Sequence, residues 1–204
     1  MMQKPRSLFG VFAFAGLLSL VHPATHGSRS ERIYLAGGCY WGVEAVFEHV
    51  RGVRDVISGF AVPVNDTTGP GPRLRHTTYA ETVRIDYDPE KISYAQLLEI
   101  FFQVAHDPTQ LDRQGPDVGP QYRSLVFVNS ADQRKVVEDY LNDLRAKGTF
   151  PGPIVTEIAQ LQRFSAAPED QQDYVVHNND APYVRNHDIP MLVNLQRRYP
   201  SLYH

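Results

Sequence analysis

The stretch Thr78-Tyr79-Ala80-Glu81-Thr82-Val83-Arg84-Ile85-Asp86-Tyr87 decides the reading of the fold. Its side chains alternate. Tyr79, Glu81, Val83, Ile85 and Tyr87 share one face, and Ala80, Thr82, Arg84 and Asp86 the other, which predicts a strand with one face on a core. Working back, Glu31 to Ala36 reads as a strand, broken by Gly37-Gly38. From Trp41 to Val50 the residues Val43, Val46, Phe47 and Val50 recur at helical spacing, and after Gly52 the run Val53 to Ala61 predicts a second strand. Asn65 to Pro72, rich in Gly and Pro, reads as a loop. Working forward, Ser93 with Gln96 forms a capping box ahead of Leu97, Leu98, Phe101 and Phe102, which predicts a helix over 93–104. His106 to Gln121 has no apolar period and reads as a long loop, a kind of segment that is often functional. Leu125 to Val128 predicts a buried strand. Ser130 with Gln133 opens a helix running to Lys147 and stopped at Gly148, Ile154 to Ala159 predicts another strand, and Pro168–Asn178 and Pro190–Arg198 short terminal helices. The order β-α-β-β-α-β with additions predicts an α+β domain. Its expected form is a two-layer sandwich with a ferredoxin-like (split βαβ) core, a mixed sheet and an extended C-terminal tail.

The chain has 204 residues, 20 Lys+Arg, 23 Asp+Glu and one Cys, for a formal charge of −3. That length and an apolar content of 42% suit one globular domain. Slight acidity argues against a general nucleic-acid binder, which needs clustered cations to neutralise phosphates. A single Cys excludes an internal disulfide, a Cys-x-x-Cys redox pair and a multi-Cys zinc site. Eight His residues are present without a His-Glu-x-x-His pattern or another close metal-ligand spacing, so no metal is expected.

Lys4 and Arg6 precede an apolar run from Leu8 to Val21 and then His22-Pro23-Ala24. This is the layout of a secretory signal peptide over residues 1–24, leaving residues 25–204 as the working domain. The run is shorter than the ~20 residues that span a bilayer, so an uncleaved anchor is the lesser alternative. Cleavage would remove two cations and no acid, taking the net charge from −3 to −5. The expectation is an exported, periplasmic or secreted, protein without stable membrane insertion.

Cys39 follows a strand and a Gly-Gly break at the start of a helix, where backbone N–H groups and the helix dipole lower a thiol's pKa. The alternative is a small buried hydrophobe. Export favours the reactive reading, since a lone thiol in an oxidising compartment is at risk of wrong pairing. Glu81, in step with apolar neighbours, points inward. A buried unpaired carboxyl holds its proton near neutral pH, unless it pairs with an Arg such as Arg123 or the strand bulges. Tyr40 and Trp41 read as core aromatics, and His177 and His187 as surface residues.

The segment Gly38-Cys39-Tyr40-Trp41-Gly42-Val43-Glu44 resembles the active-site motif of the A-type peptide methionine sulfoxide reductases, with Tyr40 where Phe is usual. His106-Asp107-Pro108-Thr109-Gln110, Arg113-Gln114-Gly115-Pro116-Asp117-Val118-Gly119 and Gln121-Tyr122-Arg123-Ser124 are similar to a second family stretch. Ala80-Glu81, Val83-Arg84 and Tyr87-Asp88-Pro89 are similar to a third. The resemblance implies reduction of the S epimer of methionine sulfoxide, free or in oxidised proteins and peptides, as repair of oxidative damage. It implies attack by Cys39 on the sulfoxide sulfur, proton donation by Glu81, and a sulfenic acid left on Cys39. Tyr122 and Asp117 would polarise the oxygen, and Tyr40 and Trp41 would line a pocket for the S-methyl group. No cofactor is implied, only an external reductant: a thioredoxin-like protein or a small thiol. A monomer is expected.

Two departures stand out. Between the second strand and Glu81 the family's usual Gly-Gly and Asn-Pro-Thr-Tyr are replaced by Ala61 to Thr78, and Tyr79 stands where His is common. Tyr79 is therefore the candidate for the missing second hydroxyl of the substrate site. The tail has no resolving Cys. Two rival readings are a Cys/His hydrolase, with His49 or His106 as base, and a degenerate fold that binds oxidised Met peptides without turnover.

Overall fold

The structure, a computed structural model, describes Met1, residues 29–64 and residues 78–204. The expected signal segment 1–24 and the loop 65–72 lie outside the described residues. Among these, no helix is long and apolar enough to cross a membrane.

Strand β1 (Glu31–Ala36), helix α1 (Tyr40–Glu48), strands β2 (Val53–Pro63) and β3 (Ala80–Tyr87) and helix α2 (Tyr94–Ile100) follow in order. The two-residue strands β4 (Arg113–Gln114) and β5 (Asp117–Val118) come next, then β6 (Leu125–Val128), α3 (Ala131–Ala146) and β7 (Glu157–Ala166). The tail holds α4 (Tyr174–His177) and α5 (Ile189–Arg198). Both predicted caps are in place. Ser93 and Gln96 close a reciprocal box on α2, and the Ser130 hydroxyl accepts from the Gln133 N–H at 3.1 Å on α3. Beyond α2, residues Phe101–Ala105 continue as one widened π-helical turn.

β3 lies between β1 and β2 and is antiparallel to both, which is the split βαβ arrangement. β6 pairs antiparallel with the other edge of β1. The expected two-layer sandwich is corrected by β7. It runs antiparallel to β2 and parallel to β6, so the five strands close into a barrel in the order β1-β3-β2-β7-β6. The strand predicted over Ile154 to Ala159 instead spans Glu157–Ala166, past Gln160, Gln162 and Arg163, which interrupt the apolar pattern. Yet Arg163 pairs with Val62 of β2, and Gln160 pairs with Val128 of β6 and accepts the Val64 N–H at 2.8 Å, through backbone groups that are indifferent to side-chain polarity.

Closure changes what the second face of each strand meets. Ala36, Ala61, Ala80 and Ala159 are buried with Tyr34, Leu125 and Phe127 in a small cluster of their own. Four alanines suit the narrow lumen of a five-stranded ring, where only small side chains fit beside three large ones. The main core lies on the helical side. There Val83, Ile85 and Tyr87 of β3 pack with Val43, Val46 and Phe47 of α1 and with Leu97, Leu98, Phe101 and Phe102. Ala80 and Thr82, expected on a solvent face, are buried. Only the far end of that face is polar, where Arg84 bonds Asp55 at 2.9 Å and Arg32 bonds Asp86 at 2.6 Å.

The tail differs from its expected two helices. Asp173, at φ +51°, breaks the first into a 3-10 turn (Glu169–Gln171) and the single turn of α4. A π-helical turn, Val184–Asp188, leads into α5. These breaks bring Gln171, Tyr174, Tyr183 and Asp188 back onto α1.

Candidate active site

The site forms where α1 begins. Cys39 is its N-cap, and the preceding turn needs glycine twice. Gly38 has φ +101°, and a Cβ there would stand 2.6 Å from Gln114 Cγ; a Cβ on Gly37 would stand 2.8 Å from His106 Cγ. The turn is therefore clamped under the His106–Gln121 segment. That segment is more ordered than the sequence suggests. β4 and β5 form a hairpin across Gly115-Pro116, with Gly115 at φ +55°. The Asp107 carboxylate accepts from the Thr109 N–H at 2.9 Å and the Thr109 hydroxyl at 2.7 Å, and Gln114 donates to the Asp107 carbonyl at 3.2 Å. The hairpin carries Asp117 to the thiol.

Glu81 reaches the same point from β3. Its Oε2 accepts the Tyr40 N–H at 3.2 Å, so the carboxyl is held against the residue that follows Cys39. The anticipated pairing with Arg123 does not occur. Arg123 is fully buried and donates to the carbonyls of Thr78 (2.8 Å), Tyr79 (3.2 Å) and Pro120 (2.7 Å), with Glu157 at 3.5 Å from its Nε. It thereby ties the approach to Glu81 to the 3-10 turn Pro120–Tyr122. Burial pushes the Glu81 pKa up from 4.5 to about 7, against the lowering effect of the Tyr40 N–H and with a further push from Asp117.

The thiol itself departs from expectation. The Trp41 N–H does favour the thiolate, but burial and then the Glu81 carboxylate outweigh it, and the Cys39 pKa is raised rather than lowered. The donors at the helix start do not compensate for the water the buried sulfur has lost. With Glu81 protonated its repulsion vanishes, so thiolate and carboxylic acid favour each other. Tyr122 faces the same groups: burial, then the Glu81 and Asp117 carboxylates, raise its pKa. Cys39, Glu81, Asp117 and Tyr122 are therefore close enough to shift one another's titration.

Around them stands an aromatic wall. The Trp41 ring stacks on Tyr174 at 3.6 Å between centroids and meets Tyr183 edge-on at 5.8 Å, and its Nε1–H donates to Gln171 at 3.3 Å. Tyr40 is buried, edge-on to Phe60 at 5.7 Å. Tyr79 does not share the inward face with Glu81. It precedes β3, is 49% exposed, and leans edge-on against Phe60 at 5.3 Å; among the described residues its hydroxyl makes no hydrogen bond.

The tail supplies residues to which the sequence assigned no role in the site. The Tyr183 hydroxyl donates a short hydrogen bond to the Asp117 carboxylate. Buried Asp188 lies against α1, since a Cβ on Gly42 would stand 2.5 Å from its Oδ1. His187, expected on the surface, lines the cavity beside Cys39. Glu44, in α1, accepts the N–H of Asp173 at 3.1 Å and of Ser58 at 3.2 Å and so fastens the tail to α1 and β2. Burial raises its pKa to about 7.

The two candidate hydrolase bases are elsewhere. His106 is buried, its ring nitrogens engaged by the Phe101 carbonyl (2.9 Å) and the Ser124 hydroxyl (2.8 Å), and burial lowers its pKa to about 4. His49 caps the far end of α1, ten residues and about 15 Å along the helix from Cys39.

A lone thiol at a helix start, facing a carboxyl that titrates near neutrality and a tyrosine hydroxyl, is the site of a thiol-dependent redox enzyme rather than a Cys/His hydrolase. The model of the peptide methionine sulfoxide reductase family matches residues 31–201. The chain is 42% identical to peptide methionine sulfoxide reductase MsrA 2 of Mesorhizobium japonicum over 85% of this chain and 90% of that one. It is 40% identical to MsrA 2 of Synechocystis over 88% and 85%. Among solved structures it is similar to reduced Mxr1 from Saccharomyces cerevisiae, at TM-score 0.64 and 29% identity over 76% and 89% of the two chains. Methionine sulfoxide reductase A of Corynebacterium diphtheriae superimposes at TM-score 0.58 and 34% identity over 74% and 76%. The chain belongs to the peptide methionine sulfoxide reductase family.

Proposed function

We propose that this protein reduces the S epimer of methionine sulfoxide, free or in peptides and proteins, to methionine with an external thiol as reductant, as repair of oxidative damage. The observation that carries the reading is the Glu81 carboxyl held on the Tyr40 N–H beside the only thiol of the chain. Cys39 attacks the sulfoxide sulfur while Glu81 gives its proton to the oxygen, with Tyr122 and the Asp117–Tyr183 pair ordering that side. The oxygen passes to Cys39. The substrate sulfur is reduced by two electrons, the Cys39 sulfur oxidised by two, and the products are methionine and Cys39–SOH. Trp41, fixed by Tyr174 and Gln171, and Tyr40 form the apolar wall against which the S-methyl group is placed. Phe60 and Tyr79 form the rim. Turnover of Tyr79→Phe tests whether the Tyr79 hydroxyl takes part.

With one Cys there is no internal thiol to resolve the sulfenic acid. A thiol from outside condenses with Cys39–SOH, releasing water and leaving a mixed disulfide, and a second thiol frees Cys39. A thioredoxin-like dithiol suits both steps, and no other cofactor enters. The N-terminal apolar run supports export after cleavage near Ala24, where reducing equivalents must be delivered to an oxidising compartment. Mature N-terminal sequencing tests that assignment, and sedimentation tests the expected monomer.

The chemistry is tested by a single turnover without reductant on a peptide carrying both sulfoxide epimers. One methionine per active site, consumption of the S epimer alone, and a protein one oxygen heavier at Cys39 are expected. Sustained turnover without thiol refutes the one-cysteine cycle, and no reduction even with excess thiol leaves the peptide-binder reading in its place.

A further inference from the structure

A cavity of about 210 Å³ opens beside Cys39, and Gln114, Asp117, Tyr183, His187 and Asp188 contribute to its wall. Cys39 lines it and Glu81 does not, so it lies beside the reacting thiol. Its wall has two carboxylates and neither Lys nor Arg. The two are not equivalent. Asp117 already accepts the Tyr183 hydroxyl. Asp188 is 2% exposed, and among the described residues its Oδ2 has no hydrogen-bond partner. A buried acceptor left open carries a desolvation cost that a complementary ligand relieves. Burial and the nearby Asp117 also raise its pKa to about 7, which marks a site that gains from an added cation. Asp188 is pressed against Gly42, three residues after Cys39 and within one helical turn of it. In methionine sulfoxide the α-nitrogen is four bonds from the sulfur, so a sulfur at Cys39 brings that nitrogen to the cavity.

We propose that this cavity seats the α-ammonium group of a methionine sulfoxide whose amino group is free, with Asp188 as its counter-ion and the specificity-determining residue. The proposal rests on the reductase reading above. Two sources carry the same ammonium: the free amino acid, and a peptide that begins with the oxidised residue. A blocked or internal residue presents an amide there and leaves Asp188 without a positive partner.

The test compares three substrates with dithiothreitol at pH 7: free methionine sulfoxide, its methylamide, and the N-acetyl methylamide. Wild type is expected to prefer the two ammonium substrates. In Asp188→Asn the ratio of kcat/KM for ammonium over acetylated substrate should fall about 10- to 100-fold, the range for a hydrogen bond to a charged group, and the loss should lie in KM. Preference for the free acid over the methylamide assigns the free amino acid as source, and the reverse assigns chain-terminal residues. Should Asp188→Asn fold poorly, wild type alone suffices: methioninamide should inhibit competitively and N-acetylmethionine methylamide should not. Equal rates on all three substrates, a ratio unchanged in the variant, or equal inhibition by both product analogues overturns the proposal while leaving reduction intact. Absence of reduction on all three overturns the reductase reading instead.

Discussion

Replacing Glu81 by Gln removes one proton and little else. The amide oxygen can still accept the Tyr40 N–H, and the volume is nearly unchanged. The magnitude follows from the site. With a pKa of about 7 the carboxyl is half protonated at neutral pH, whereas at its ordinary 4.5 only about 0.3% would be, so burial raises the supply of acid about 10²-fold. Loss of a positioned acid costs about 10²–10⁴-fold in the chemical step. The assay is single-turnover reduction of an N-acetylated methionine sulfoxide substrate from pH 5.5 to 9. Wild type should show a limb that falls about tenfold per pH unit above 7 as Glu81 ionises, and Glu81→Gln should be slow at every pH and lack that limb. The same substitution should stabilise the fold at alkaline pH. A carboxyl whose folded pKa exceeds its unfolded one costs stability as pH rises from 4.5 through 7, by at most about 3 kcal/mol here and less because Glu81 retains some solvent. A rate loss of only a few-fold, or a limb near pH 7 surviving in Glu81→Gln, refutes the assignment of Glu81 as the acid.

The other buried carboxyls extend this argument. Glu44 at about 7, Glu48 at about 8 and Asp188 at about 7 all lie above their unfolded values, so stability should fall as pH rises from 5 to 8 and level off above that. Thermal unfolding at pH 5.5 and 8.5 checks the sign, and a higher melting temperature at pH 8.5 contradicts it. Tyr174→Ala removes the ring stacked on Trp41 and should raise KM several-fold with a smaller change in kcat; an unchanged KM means that Trp41 is held without it. Arg123→Met deletes the buried cation that clasps the Thr78, Tyr79 and Pro120 carbonyls and faces Glu157, and should cost about 3–5 kcal/mol, read by urea unfolding, whereas a loss below 1 kcal/mol would show that the clasp is dispensable. Cys39→Ser should fold normally and reduce no sulfoxide, since a hydroxyl does not replace the thiolate; turnover in that variant refutes the mechanism.

Local patterning was sufficient for the parts of the molecule that depend on it. The alternation over 78–87, the two Ser-x-x-Gln caps and the Gly-Gly break before Cys39 place β3, α2, α3 and the start of α1 where the structure has them, because each rests on contacts a few residues apart. They also place Cys39 and Glu81 at the ends of neighbouring elements, with Glu81 on an apolar face. What the tertiary structure alone decided is whatever depends on distant chain segments or on water. Barrel closure was hidden because β7 pairs through backbone groups under polar side chains. The thiol's raised pKa was hidden because desolvation is set by everything packed around Cys39, not by the helix it begins. Arg123 binds carbonyls rather than Glu81, which only the approach of residues 78–79 to the turn at 120–122 reveals. Tyr183 and Asp188 carry no motif of their own. They reach the thiol because the tail folds back over α1, held there by Glu44, and that return of the chain from more than a hundred residues away leaves no trace in the sequence beside Cys39.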